Sequence, residues 1–117
     1  MLFNARKIKQ NFMKISRIWH GYTTFENADK YESLLRSEIF PHIESRNIKG
    51  FNSIQLLKRN INNETESITI MEFDSIDAVK DFAGEDYEQA VVPENARKVL
   101  KRFDATSQHY EIVVYAS

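Results

Sequence analysis

The spacing of apolar and polar residues changes along the chain in a way that predicts six elements. Alternating positions predict strands over residues 14–22, 51–59, 66–73 and 108–115. Apolar residues three and four apart predict a long helix over 26–47 and a broken helix over 75–103. The resulting order βαββαβ predicts an α+β, ferredoxin-like domain. In that topology the four-stranded antiparallel sheet has the order 4-1-3-2, with both helices on one face.

The first predicted strand carries bulky residues on both of its faces. Arg17 and Trp19 lie on one side of the strand, and Ile18, His20 and Tyr22 lie on the other. A strand that is covered on both sides has this pattern. Because the helices can cover only one face of the sheet, we expect a second copy of the chain to cover the other, giving a homodimer.

The long helix has a predicted start, an inward stripe and an interruption. Thr23 and Glu26 have the spacing of a capping box, and Thr24 is an equally good cap. Pro41 removes a backbone donor and is expected to kink the helix near residues 37–40. The side chains expected to face the sheet are Ala28, Tyr31, Leu35, Ile39 and Ile43.

Composition narrows the class of protein. A chain of 117 residues with 42% hydrophobic residues forms one domain with a core. Cysteine is absent, which excludes disulfides and thiolate chemistry. The net charge of -1 argues against a nucleic-acid binder that neutralises phosphates. We also expect no membrane association, because no apolar run approaches the roughly 20 residues that span a bilayer.

The first thirteen residues are predicted to be an N-terminal extension to a single domain over 14–117. They contain three basic residues but lack the apolar segment of a secretory signal. They could form a short amphipathic arm, or Met13 could be the natural start of the protein. We expect a cytoplasmic protein.

Charge is divided unevenly between the two halves of the chain. Residues 1–60 carry 11 Lys or Arg and 5 Asp or Glu, a balance of +6, whereas residues 61–117 carry 5 and 12, a balance of -7. Folding can bring the two halves together so that their charges mix within one chain. The alternative is head-to-tail charge complementarity between subunits.

Two histidines are the candidate catalytic residues. His20 and His109 each lie at the end of a predicted strand, and the two strands should be neighbours, with residues 20–22 beside residues 108–110. Alternation alone does not determine whether the two histidines share a face of the sheet. Within hydrogen-bond reach of a phenol, either imidazole could act as a general base, because its unperturbed pKa is about 6.5. The alternative is that both are structural and bonded to the backbone or to a carboxylate such as Glu111.

The candidate substrate-binding residues are Trp19, Arg17, Tyr22, Tyr31 and Tyr87. Trp19 could stack on a flat ligand or fill the core, and each tyrosine could donate a hydrogen bond or simply pack. Arg17 should be paired with Glu72 or Glu111, or with a ligand carboxylate. The histidines lack metal-ligand spacing, so no metal or cofactor is predicted.

Several short motifs carry a family resemblance. They include Trp19-His20-Gly21, Phe40-Pro41, Phe73-Asp74-Ser75, Phe82-Ala83-Gly84-Glu85-Asp86-Tyr87 and His109-Tyr110-Glu111. Over roughly residues 14–115 the chain resembles the antibiotic biosynthesis monooxygenase-like proteins of the dimeric α/β-barrel superfamily. The resemblance implies a homodimer whose two sheets face each other as a barrel, with a pocket between sheet and helices in each subunit. Characterised relatives oxidise polycyclic aromatic phenols to quinones with O₂ and neither metal nor flavin, and others cleave haem.

The catalytic residues of these relatives do not carry over. Haem-cleaving relatives use an Asn on the first strand, a Trp on the third strand and a His on the second helix, and none of these stands at the matching elements here. Quinone-forming relatives use Asn, Trp and Tyr, whereas Trp19 is the only tryptophan in this chain. The prediction is a monooxygenase-like oxidoreductase that acts on an aromatic small molecule without a cofactor. The alternative is a non-catalytic small-ligand-binding or stress-related protein with the same dimeric fold.

Overall fold

The structure is a computed structural model, and it describes residues 13–117. The predicted N-terminal extension therefore lies outside the described residues except for Met13. The strands are β1 (Ile15–Thr24), β2 (Phe51–Ile61), β3 (Glu64–Phe73), β4 (Arg102–Phe103) and β5 (Gln108–Glu111). The α-helices are α1 (Phe25–Leu34), α2 (Phe40–Ser45), α3 (Ile76–Ala83) and α4 (Glu94–Arg97), and a π-helical turn (Leu35–Ile39) joins α1 to α2.

The sheet has the predicted order. Strands β2, β3 and β1 are neighbours, and both β4 and β5 pair with the outer edge of β1, all of them antiparallel. The fourth position of the 4-1-3-2 sheet is thus shared by two short strands. The α+β ferredoxin-like fold predicted from the sequence is confirmed.

The predicted register between the first and last strands is wrong. We expected 20–22 to lie beside 108–110, but Arg17 lies opposite His109, and Gly21 lies opposite Phe103. The reason is that β4 occupies the edge of the sheet next to the end of β1. The last strand is therefore displaced toward the beginning of β1.

The last two predicted elements are shorter than expected. Gly84 ends α3 with a φ of 92°, and the next helical turn is α4, four residues long. Between them, the carbonyls of Tyr87 and Gln89 accept hydrogen bonds from Arg17 instead of from a helix. Strand β5 ends at Glu111, where its partner β1 begins. Tertiary contacts set the ends of both elements, and the spacing of apolar residues along the chain does not reveal such contacts.

Pro41 produces a π-helical turn where a kink was predicted. The N–H of Phe40 bonds to the carbonyl of Leu35, five residues earlier. Because Pro41 has no N–H, the ordinary α-helical ladder cannot continue through this position. Single π-helical turns inside α-helices are frequent at functional sites.

The core lies between one face of the sheet and the helices. Phe73 is fully buried at its centre, and its ring packs against the rings of Phe51 and Phe82. A second group of buried side chains, built around Tyr31 and Leu35, lies under α1 and α4. On β1, the residues that face this core are Ile15, Arg17, Trp19, Gly21 and Thr23.

Thr24 and Ser75 supply the helix caps. The side chain of Thr24 accepts from the N–H of Asn27, and the side chain of Ser75 accepts from the N–H of Ala78. Thr23, the other predicted cap, is fully buried in β1 instead. Within residues 13–117 its hydroxyl has no hydrogen-bond partner.

We expect Thr23→Val to stabilise the protein by about 1 kcal/mol, because it replaces an unsatisfied buried hydroxyl with a methyl group of the same shape. Thr65 is the matched control, since it lies opposite Thr23 and its hydroxyl donates to Oδ1 of Asn60 at 2.8 Å. Thr65→Val should cost about 1 kcal/mol. Urea unfolding of both variants measures the difference, and equal effects of the two changes would contradict the account.

Candidate functional site

A small cavity lies between the helix-covered face of the sheet and the π-helical turn. Its volume is about 60 Å³. Its wall comes from β1, β2 and β3, from α1, the π-helical turn and α2, from α3, and from the segments around α4 and before β5. The wall residues are Arg17, Trp19, Tyr31, Leu35, Ile39, Phe40, Ile43, Ile54, Thr69, Met71, Phe82, Val91, Val92, Pro93, Ala96 and Ser107. Four of the five residues in the predicted inward stripe, Tyr31, Leu35, Ile39 and Ile43, are among them.

A surface groove of about 660 Å³ adjoins this cavity. The two share the wall residues Ile39, Ile43, Phe82, Val91 and Pro93. Ligand pockets usually measure about 300–1,000 Å³, so the cavity alone is too small for a multi-ring ligand. Because they share these wall residues, the cavity and the groove together reach that size.

Arg17 is the charged residue of the cavity wall. Its side chain is 97% buried, since only 3% of the residue remains exposed. Nη1 donates to the carbonyl of Tyr87 at 2.5 Å and contacts Nε2 of His109 at 2.9 Å, and Nη2 donates to the carbonyl of Gln89 at 3.2 Å. Burial lowers the pKa of Arg17 to about 10, which leaves it charged at neutral pH.

The predicted pairing of Arg17 with Glu72 or Glu111 is wrong. Glu72 lies opposite Ser16, which projects to the other face of the sheet from Arg17. Its carboxylate accepts from Asn52 and Tyr115 there. Glu111 is exposed, opposite Ile15. Within residues 13–117, Arg17 makes no salt bridge.

His109 supports Arg17 from behind the cavity. Its Nε2 accepts from Arg17, and its ring meets the ring of Tyr87 edge-on at 5.0 Å. Burial, followed by the charge of Arg17, lowers the pKa of His109 to about 4. The imidazole is therefore neutral, and its acceptor nitrogen already holds a hydrogen bond. This geometry does not favour His109 as a base, and it makes His109 and Tyr87 residues that position the guanidinium.

Trp19 and Tyr31, two of the predicted substrate-binding residues, form part of the cavity wall, and they differ in what they can donate. Nε1 of Trp19 donates to the carbonyl of Asp104 at 2.7 Å, and its ring packs beside Phe103. Tyr31 is 2% exposed, and its hydroxyl has no hydrogen-bond partner within residues 13–117. Burial raises the pKa of Tyr31 to about 12, so the hydroxyl stays protonated and can donate to a ligand.

His20 and Tyr22 lie on the opposite face of the sheet. Nδ1 of His20 lies 3.1 Å from Oε2 of Glu66, and the hydroxyl of Tyr22 donates to the same oxygen at 3.4 Å. Arg59 donates to Oε1 at 2.7 Å, and this bond is the main cause of the lowered pKa of Glu66. The expected register between these two strand ends is wrong, and His109 lies opposite Arg17, on the helix side of the sheet. The two histidines therefore do not lie together.

Two hydroxyl residues of the cavity wall were missed by sequence reasoning. Thr69 alternates with Met71 and Phe73 on the helix-covered face of β3. A threonine in an otherwise apolar set of alternate residues is a signal that could have identified it. Ser107 is buried just before β5, and nothing in the local sequence pattern indicates that it reaches the cavity.

The fold and the cavity define the class of protein. This is a ferredoxin-like α+β domain with a mostly apolar cavity between its sheet and its helices. The solved structures similar to it include a Bacillus cereus protein named as a candidate antibiotic biosynthesis monooxygenase, at a TM-score of 0.63 and 10% identity, covering 90% of this chain and 98% of that one. SnoaB, a cofactor-independent oxygenase from Streptomyces nogalater, matches at a TM-score of 0.51 and 14% identity, covering 90% of this chain and 96% of SnoaB.

These similarities confirm the resemblance at the level of the fold. The chain has the fold of antibiotic biosynthesis monooxygenase-like proteins. No protein-family model matches the sequence, and no curated protein matches it either.

Two further observations concern the described part of the chain. None of its helices has both the length and the apolar character needed to cross a membrane. Residues 13–117 also contain no group of three or more His, Asp or Glu side chains arranged to hold a metal ion.

Proposed function

We propose that the protein is a cofactor-independent oxygenase that acts on a flat aromatic small molecule. The observation that carries the proposal is the cavity, in which Trp19, Tyr31 and the charged Arg17 line one small space. A flat ring can stack on tryptophan, and the two polar groups can orient its oxygen substituents. The fold is shared with a cofactor-independent oxygenase, which supports the same reaction class.

The proposed reaction converts the ring CH₂ group of an anthrone-type substrate, which is the keto tautomer of a phenol, into a carbonyl. One atom of O₂ enters the carbonyl, and the other leaves as water with the two hydrogens. The phenolate form of such a substrate is electron-rich enough to react with O₂ directly. In this cavity, the Tyr31 hydroxyl would donate to the phenolate oxygen, and Arg17 would orient the substrate. One CH₂ proton would leave to water through the adjoining groove when the phenolate forms, and a proton from water would return to the oxygen atom that departs as water.

A second candidate is a non-catalytic binding protein for the same kind of ligand. One observation favours it: among the described residues of the cavity wall, none is a carboxylate or imidazole that could take a proton, and Glu38 and His42 line only the adjoining groove. His109 is held by Arg17, and His20 is on the other face. Oxygen consumption distinguishes the two candidates.

Oxygen uptake with anthrone as substrate tests the proposal, with the protein-free rate subtracted. Tyr31→Phe removes the hydroxyl that would bind the phenolate oxygen, and we expect the rate to fall roughly 10- to 100-fold. Tyr115→Phe is the control, because that exposed hydroxyl bonds to Glu72 on the other face of the sheet. No uptake by the wild-type protein, together with binding of anthrone, would favour the binding protein.

We also propose that the chain forms a homodimer through the face of the sheet that the helices leave open. The centre of this open face is apolar, because Ile18 lies opposite Ile70 and Leu57 lies opposite Ile68. Hydrogen-bonded polar groups flank it, with Glu66 toward one end and Glu72 toward the other. An apolar centre within a polar rim is typical of protein interfaces.

The end of the chain supports the same proposal. Val113, Val114 and Tyr115 follow β5 and are 81%, 75% and 67% exposed. Exposed β-branched and aromatic residues next to an unpaired strand edge favour pairing with another chain. The opposite charges of the two halves of the sequence do not require a second subunit to pair. The ion pairs Lys14–Glu72 and Arg59–Glu66 already join the two halves within one chain.

A further inference from the structure

We infer that the ligand of the cavity is an aromatic carboxylate, with its acid group held by Arg17 and its ring against Trp19. This inference rests on the proposed function only in placing the ligand in the cavity, and it names the ligand class. Among residues 13–117, Arg17 has unused N–H donors and no counter-ion, the cavity wall contains hydroxyls but no acidic residue, and Arg17 and Trp19 lie two residues apart on β1.

Arg17 has donors that the protein does not use. A guanidinium carries five N–H groups, and the three contacts of Arg17 occupy three of them. Both hydrogens of Nη1 are used in hydrogen bonds. The N–H of Nε and one hydrogen of Nη2 therefore remain available to a ligand. Two neighbouring N–H groups of a guanidinium match the two oxygens of a carboxylate.

The charge of Arg17 is also not neutralised. Its acceptors are two backbone carbonyls and a neutral imidazole, and no described residue of the cavity wall is acidic. A buried charge without a counter-ion is costly to a folded protein. A ligand that brings a negative charge would remove this cost, whereas a neutral ligand would bury the guanidinium still further.

Two hydroxyls of the same wall are free to complete an anion site. The side chains of Thr69 and Ser107 have no hydrogen-bond partner among residues 13–117, although both line the cavity. Ser107 is buried, with 5% of its surface exposed. Hydroxyl donors and one guanidinium in an apolar wall form an environment suited to a carboxylate.

The distance along β1 limits the size of the ligand. Arg17 and Trp19 are alternate residues on the same face of the strand, so their Cα atoms are about 7 Å apart. A molecule that contacts both Arg17 and Trp19 must carry its carboxylate close to its aromatic ring, at a distance of roughly one ring width. An acid group attached directly to a one- or two-ring aromatic meets this requirement.

Fluorescence of Trp19 provides the test, because it is the only tryptophan and it lines the cavity. The full chain is titrated with 2-naphthoate and, separately, with 2-naphthalenemethanol, which has a similar shape but no charge. We expect the naphthoate to bind the wild-type protein at least tenfold more tightly, since charged hydrogen bonds are worth roughly that factor or more. Arg17→Gln should abolish the preference for the acid.

Arg36→Gln is the matched control, because it removes one positive charge from an exposed arginine of the π-helical turn and should keep the preference. Equal binding of acid and alcohol to the wild-type protein would overturn the inference while leaving the cavity as an aromatic site. Binding of neither compound would overturn both the inference and the proposed function. A preference that disappears in Arg36→Gln would also overturn the assignment to Arg17. The comparison of acid and alcohol binding to the wild-type protein tests the preference for a carboxylate even if Arg17→Gln does not fold.

Discussion

Replacing Phe73 with alanine is expected to lower the free energy of unfolding by about 3–5 kcal/mol. Phe73 has no exposed surface, and its ring packs against both Phe51 and Phe82. The change removes the apolar surface of a whole aromatic side chain and leaves a cavity that rigid neighbours on β2 and α3 fill poorly. Because typical domains are stable by only 5–15 kcal/mol, most of the stability of this one would be lost.

Urea unfolding followed by Trp19 fluorescence measures this effect. Both proteins must be compared at the same concentration, because association would raise the apparent stability. Phe25→Ala is the control, because it also removes an aromatic ring but from a residue that is 51% exposed. It should lower the free energy of unfolding by less than about 1 kcal/mol. A loss below about 1.5 kcal/mol for Phe73→Ala would show that the core is not centred where the structure places it.

Replacing Ile70 with aspartate is expected to convert the proposed homodimer into a monomer. Ile70 lies at the centre of the open face, opposite Ile18 on one side and Gln55 on the other. In a two-fold symmetric interface each dimer would bury two such carboxylates without partners. An unpaired charge at an interface costs several kcal/mol, so the dissociation constant should rise at least roughly 100-fold.

Sedimentation at micromolar concentration measures the result against the monomer mass of 13.8 kDa. Circular dichroism establishes that the variant remains folded, which is expected because the helices do not cover this face. Phe25→Asp is the control, since it places the same charge on an exposed aromatic residue of α1. A wild-type protein that sediments as a monomer, or an Ile70→Asp variant that still pairs, would contradict the dimer.

The residues of the cavity wall could be predicted from the sequence wherever periodicity alone determines which way a side chain faces. Tyr31 follows from the spacing of the first helix, and Arg17 and Trp19 follow from alternation on β1, which places both on one face. Thr69 belongs to the same class, because it alternates with the apolar residues of β3. In each case a single element determines the direction of the side chain, so neighbouring elements need not be known.

The pairing of His20 with His109 failed for the opposite reason. It depended on the register between two strands that are far apart in sequence. His109 lies opposite Arg17, an odd number of residues from His20, so the two imidazoles are on opposite faces of the sheet. The edge beside the end of β1 was taken by β4, a two-residue strand that no pattern reveals. His109 was thereby placed opposite Arg17, where it became a neutral hydrogen-bond acceptor instead of a base.

The amino-acid sequence by itself determined the order of the elements, the topology of the sheet and the faces of its long strands, because these depend on local spacing and on the limited ways in which such elements pack. Only the tertiary structure decided which distant residues meet. It brought the carbonyls of Tyr87 and Gln89 to Arg17, left that buried charge without an acidic partner, and shaped the small cavity beside Tyr31. These contacts join segments about seventy residues apart, and their geometry is set by packing, which local patterns do not encode.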